Sequence, residues 1–213
     1  MLRIAGKSDV GKKRAANEDG FYLAKFSEDA AWAVVCDGMG GGPGGFLASS
    51  TAVEKIRKSV EDGYRDEFNE NSVKNLMISA VTAANIQVFA KAEKSEELKG
   101  MGTTVVLAVV RNDVVHIAYA GDSRAYLITE EGTRQLTHDH SMVQLMVDRG
   151  ELTPEVAKTY PGKNFITRAI GTEPIVMCDI YHREVSKGDF ILLCSDGLSN
   201  MMDDQEILFE VVH

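Results

Sequence analysis

No apolar run in the 213-residue chain approaches the roughly 20 residues that a membrane-spanning helix needs. Cysteine is scarce. Cys36, Cys178 and Cys194 are an odd number without metal-type spacing, which excludes a disulfide-stapled scaffold and a thiolate zinc site and fits reduced thiols in the cytoplasm. The 4 prolines are scattered, so no proline-rich linker divides the chain. The first twenty residues hold no apolar segment between basic residues and a cleavage site, and no secretory signal is expected. Positive charge is also short. The 23 Lys+Arg against 32 Asp+Glu leave −9, which argues against a nucleic-acid backbone as the main partner. There is no internal repeat and no low-complexity tract. What remains is globular composition, 44% hydrophobic and 26% charged, rather than that of a disordered chain. The length suits a single domain over residues 1–213 with its own core.

Two segments have helical periodicity. Phe46 to Tyr64 aligns Phe46, Val53, Ile56 and Val60. Ser72 to Ala92 opens on an Asn71-Ser72 cap signal and aligns Leu76, Met77, Ala80, Val81, Ala84 and Val88. Short β-rich runs surround them: Ala31 to Cys36, a hairpin of Thr103 to Val110 with Val114 to Ala120, a second of Arg124 to Thr129 with Thr133 to Leu136, and a buried strand Phe190 to Cys194. Several runs are apolar at consecutive positions, as in strands covered on both faces. Tight two-strand turns predict antiparallel sheets, two of them, with helices outside. The polar stretch 138–171, with short helix signals at Ser141 to Arg149 and near Thr153-Pro154, reads as an inserted flap, since a structureless loop of that length is unusual. Met142, Leu145 and Met146 would form the buried face of its helix.

One device recurs. An apolar strand ends and an Asp follows, with Gly beside it: Asp37-Gly38, Gly121-Asp122 and Asp196-Gly197, with a separate acidic pair at Glu18-Asp19. One such Asp-Gly is most often only a turn. Several at strand ends, gathered at one sheet rim, would repel one another unless a cation neutralised them. Carboxylates without His or Cys suit a hard cation, Mg²⁺ or Mn²⁺, rather than zinc. Arg14, four residues before Glu18, is either a solvated residue of a basic run or a bidentate phosphate clamp. The glycine run from Gly38 to Gly45 lacks the Lys-Ser/Thr of a Walker loop. It reads as backbone passing close to the metals before a helix. His138 and His140 flank Asp139, and an exposed or capping role outweighs metal binding. Cys36 and Cys194 read as small buried core residues rather than nucleophiles.

Together these motifs resemble the metal-dependent protein phosphatases of type 2C in their bacterial form. The ordered series is RAANED (Arg14 to Asp19), VCDGMGG (Val35 to Gly41), GTTVV (Gly102 to Val106), AGDSRAYL (Ala120 to Leu127), LTHDHSMVQLMVDRGELTPEVA (Leu136 to Ala157), NFITRAIGT (Asn164 to Thr172) and LLCSDGLSNMM (Leu192 to Met202). The resemblance implies an α+β fold, a four-layer α-β-β-α sandwich of two antiparallel sheets flanked by helices, with the flap at about 138–171. It implies hydrolysis of phosphoserine and phosphothreonine in proteins by a metal-activated water. By position, Arg14 would hold the substrate phosphate. Glu18, Asp19, Asp37, Gly38 through its carbonyl, and Asp196 would serve two central ions. Asp122 with Asp196 would serve a third. The cofactors implied are two or three Mn²⁺ or Mg²⁺. The implied setting is a cytoplasmic monomer acting on proteins phosphorylated by a serine/threonine kinase, with no nucleic-acid partner and no membrane span.

The chain departs from the family pattern in places. Gly42 and Phe46 stand where bacterial relatives have His and Glu, Met39 where animal relatives have His, and Asn200 where many have an acid. The family's closing strand, with its Asp-Asn ligand motif, is expected to be missing after Val212-His213. That leaves two further readings. One is a catalytically impaired relative that binds phosphoproteins or a partner. The other is a two-metal phosphohydrolase of nucleotides or nucleic acid.

Overall fold

The computed structural model describes residues 1–41 and 43–212; Gly42 of the glycine run and His213 lie outside the described residues. In chain order the elements are β1 (Asp19–Lys25), β2 (Ala31–Met39), α1 (Pro43–Gly63), α2 (Glu70–Ala92), β3 (Gly102–Thr103), β4 (Val105–Arg111), β5 (Val114–Ala120), β6 (Arg124–Thr129) and β7 (Gly132–Gln135). They continue with α3 (Met142–Asp148), α4 (Pro154–Ala157), β8 (Asp179–Glu184), β9 (Phe190–Cys194), α5 (Asp196–Ser199) and α6 (Asp204–Val212). One sheet runs β1-β2-β4-β5-β8, with β3 on β2, and the other runs β7-β6-β9. All the pairings are antiparallel.

Alternation along the strands builds the layers. In β4, Val105, Leu107 and Val109 enter the core beneath α1 and α2, while Val106 and Ala108 turn to the second sheet. In β6, Ala125 and Leu127 face the first sheet, whereas Tyr126 and Ile128 pack on Ile207 of α6. The order is therefore helices, sheet, sheet, helix, the expected α+β sandwich. It explains why β4 and β5 are apolar at consecutive positions: both faces of the large sheet are covered. Their hairpin turns at Asn112 and Asp113, both with positive φ (49° and 57°), which suits residues that tolerate left-handed backbone.

Several local expectations are corrected. Helix α2 begins at Glu70, and its cap is Asn69, whose side chain accepts from the Ser72 N–H at 2.9 Å. Phe46 is exposed, because the buried face of α1 is Ala48, Ser49, Ala52, Ile56 and Val60. Helix α1 starts at Pro43, so Gly44 and Gly45 are helical and not part of a loop. No residue of α3 is buried, and Met142 and Leu145 are exposed. Strand β9 is only partly covered, with Phe190 exposed. Strands β1 and β8 were not foreseen. They are the two edges of the large sheet; β8 is broken by His182, Arg183 and Glu184, whereas β1 does carry an apolar run, Phe21 to Ala24, between Asp19-Gly20 and Lys25.

Candidate metal and phosphate site

Four strand ends meet at one rim. The β1–β2 register sets Asp19 directly opposite Asp37. Asp122 follows β5 and Asp196 follows β9. Arg14, Glu18, Asp37, Gly38, Asp122 and Asp196 line one cavity of about 280 Å³, together with Met39 and the flap residues Asn164 and Ile166. Asp19 is not on that lining; it faces Asp37 across the β1–β2 pair and accepts a hydrogen bond from the Ser195 hydroxyl at 2.8 Å. Arg14, Glu18, Asp19, Asp37, Gly38, Asp122 and Asp196 are therefore brought together at this rim.

The backbone is held tightly here. The Asp37 carbonyl accepts from the Thr103 hydroxyl (2.8 Å) and from the Thr104 N–H (2.9 Å). The Asp37 N–H donates to the Thr104 hydroxyl, which shares a 2.6 Å hydrogen bond with Ser123, next to Asp122. The Gly38 N–H donates to the Glu18 carbonyl at 3.2 Å. A side chain at Gly38 would run into the Gly45 carbonyl and lie 2.7 Å from the Glu18 carbonyl. At Gly45, an added Cβ would lie 2.8 Å from the Glu18 carboxylate carbon. Two of the glycines thus serve close approach between β2, the Glu18 segment and the start of α1.

Burial pushes the Asp37 carboxyl up to about 9, reinforced by the negative charges of Asp19 and Asp196. Burial likewise raises Asp122 to about 6, with Asp196 and then Asp139 adding to the rise. This is the field a cation relieves. Among the described residues no three His, Cys, Asp or Glu are drawn together as a formed ion site. The strand ends hold the carboxylates near one another, and each side chain can still re-aim by rotamer. The donor set, carboxylates and carbonyls alone, fits a hard divalent cation.

The remaining candidates fall elsewhere. Asp139 pairs with Arg124 at 2.6 Å and His138 bonds Asp148 at 2.8 Å, neither of them on the cavity. His140 is neither exposed nor a cap: it is 8% exposed and packs in parallel against Tyr119. Burial pushes the Cys36 thiol up and takes Cys194 to about 12, so neither is poised as a nucleophile. Asn200 donates to Asp196 at 3.0 Å and accepts from the flap's Lys163 at 3.2 Å. Asn164, Ile166 and Ser195 were missed as site residues, since single residues in a flap or after a strand carry no periodic or charge signal.

The sequence profile described as protein phosphatase 2C matches residues 6–213. The serine/threonine phosphatase stp of Listeria welshimeri is 35% identical over 204 residues, covering 94% of this chain and 79% of that protein. The structure of serine/threonine phosphatase Stp1 from Staphylococcus aureus superposes with a TM-score of 0.89 at 36% identity, covering 96% of this chain and 80% of that one. The catalytic domain of the serine/threonine protein phosphatase PstP, solved in complex with 2 manganese ions, superposes with a TM-score of 0.78 at 33% identity, covering 95% of this chain and 81% of that one.

Proposed function

The chain belongs to the protein phosphatase 2C family, and from that premise we propose how its rim residues carry the family's reaction. It is a metal-dependent protein serine/threonine phosphatase, and phosphorylated proteins are its substrates. The observation that carries the reading is the convergence of Arg14, Glu18, Asp37, Gly38, Asp122 and Asp196, from distant parts of the chain, on one cavity. The residues we assign to the ions are Glu18, Asp19, Asp37, Gly38 through its carbonyl, and Asp196, with Asp122 and Asp196 at a further position. We put the number at two or three and the identity as Mn²⁺ or Mg²⁺, on the all-oxygen donor set.

Bound cations supply Lewis-acid polarisation of phosphoryl oxygens and an activated water nucleophile. The chain's own part is to hold charge and position. Four carboxylates line the cavity, and Arg14 is the one cationic side chain among the described residues on its wall. Its guanidinium fits a phosphate edge in two parallel hydrogen bonds. The flap residues Asn164 and Ile166 close one side and would touch the substrate near the phosphorylated residue. None of the cysteines is required.

The finer setting belongs to the same reading: one domain with a flap at about 138–171, a monomer in the cytoplasm, and substrates supplied by a serine/threonine kinase. Free cysteines and the −9 charge support it. Among the described residues no helix is long and apolar enough to cross a membrane. No observation favours the impaired, binding-only alternative, and the convergence of the rim residues on one cavity supports turnover. The test is phosphate release from phosphoserine, phosphothreonine and phosphotyrosine peptides and from a nucleotide, with Mn²⁺ and with EDTA. Metal-dependent release from the first two is expected. A preference for the nucleotide would overturn the assignment.

Arg14→Ala separates its two readings. Loss of a phosphate clamp should raise KM for a phosphopeptide by roughly tenfold or more, the cost of a charge-assisted hydrogen-bond pair, with a smaller change in kcat and unchanged Mn²⁺ affinity. Unaltered kinetics would return Arg14 to a solvated basic residue.

A further inference from the structure

His140 and Gly121 form a buried clamp outside the cavity. The His140 N–H donates to the Gly121 carbonyl at 2.9 Å, and the Gly121 N–H donates to His140 Nδ1 at 3.0 Å. One residue thus takes both backbone groups of the glycine that precedes Asp122. Gly121 has φ +114°, and a Cβ there would lie 2.6 Å from Thr104 Cγ2, so the chain turns at this point in a conformation only glycine takes easily. The aim of Asp122 depends on how that turn is held.

The imidazole is itself oriented. Because Nδ1 accepts, Nε2 carries the proton in the neutral ring and donates to Asp179 at 3.2 Å. Asp179 is held from the other side by Arg168 at 2.6 Å. Tyr119 lies parallel to the ring, with centroids 5.3 Å apart. His140 opens the flap, and Arg168 lies where the flap returns: the Thr167 N–H donates to the His140 carbonyl at 2.8 Å.

We propose that His140 is a positioning residue that fixes the Gly121–Asp122 turn and ties the ion position at Asp122 to the base of the flap. This rests on the reading of Asp122 as an ion ligand. His140 touches neither substrate nor ion. It acts by keeping a buried backbone N–H satisfied, and an orphaned donor would let the turn relax.

The test uses the whole chain and measures Mn²⁺ binding by calorimetry as well as activity. Asp122→Asn is the benchmark and should weaken or abolish one Mn²⁺ site. His140→Gln, whose side-chain oxygen overlays Nε2 rather than Nδ1, should weaken that same site by about tenfold, the usual lower cost of losing a supporting hydrogen bond around a metal ligand. The Mn²⁺ needed for half-maximal activity should rise in parallel, while KM for a phosphopeptide at saturating Mn²⁺ stays put. His140→Asn, whose oxygen overlays Nδ1, should bind Mn²⁺ as the wild type does. A role in folding alone would lower the melting temperature of both amides without separating their Mn²⁺ affinities. If Asp122→Asn loses an ion while the two amides bind Mn²⁺ alike, the clamp is overturned and the ligand reading stands. If Asp122→Asn binds Mn²⁺ like the wild type, the ligand reading fails and the clamp fails with it.

Discussion

Asp37→Asn is expected to lower Mn²⁺-dependent turnover roughly a thousandfold, the rate equivalent of losing several kcal/mol of Lewis-acid stabilisation. The same change should make the EDTA-treated protein more stable. Burial and the charges of Asp19 and Asp196 raise Asp37 from 3.8 to about 9. Between those values the folded chain holds a proton that the unfolded chain has released. By linkage, stability then falls as pH rises from about 4 towards 9, and the penalty is absent below both values. At pH 7 it is on the order of a few kcal/mol. The asparagine removes that slope. Melting of both chains from pH 4 to 9, with EDTA and with Mn²⁺, is the measurement. The gap should widen with pH in EDTA and narrow or reverse with Mn²⁺. Near-normal turnover, or parallel melting profiles in EDTA, would contradict a charge-loaded site at Asp37.

Gly38→Ala should be the most damaging single methyl in the rim. The added carbon would meet two backbone carbonyls, Gly45 and Glu18, and neither is a flexible side-chain end that can swing away. Overpacking of this kind costs about 3 kcal/mol or more, a fall in Tm of roughly 6–12 °C for a chain of this length. The shift would also pull the Glu18 segment away from β2, so Mn²⁺ affinity should drop with stability. Gly132→Ala is the control. Its Cβ would meet nothing within 4 Å, though its φ of +146° carries backbone strain, so it should cost stability without changing Mn²⁺ binding. Equal Mn²⁺ affinity in Gly38→Ala would show that close approach at Gly38 does not shape the site.

Burial pattern decided what could be seen in advance. Strands β4, β5 and β6 were legible because both sheet faces are covered, which forces consecutive apolar residues. Helices α1 and α2 are legible by period, but Phe46 lies outside the buried face of α1: apolar character marks a stripe, and only packing tells which edge of it is covered. Strand β8 was illegible because His182, Arg183 and Glu184 leave it little apolar surface to bury, while β1 is a short apolar run, Phe21 to Ala24, beside the acidic pair, whose Tyr22 and Ala24 pack on the core. The flap helix α3 misled for the opposite reason, since Met142 and Leu145 are apolar yet face outward.

The site divides in the same way. The sequence by itself determined the chemical types: oxygen ligands without His or Cys, one arginine near them, glycines where backbone must pass closely, and the order of motifs that marks the family. Those properties are local: the donor atoms a side chain offers are fixed by its own type, whereas its protonation is set by burial and neighbouring charge. Tertiary structure alone decided the distances and the company. It set Asp19 opposite Asp37 by strand register, brought Asn164 and Ile166 over the cavity, and turned His140 from an apparently exposed residue into the holder of Gly121. These are contacts between residues far apart in the chain. Their partners are chosen by which faces must be buried together, and no short stretch of sequence contains that choice.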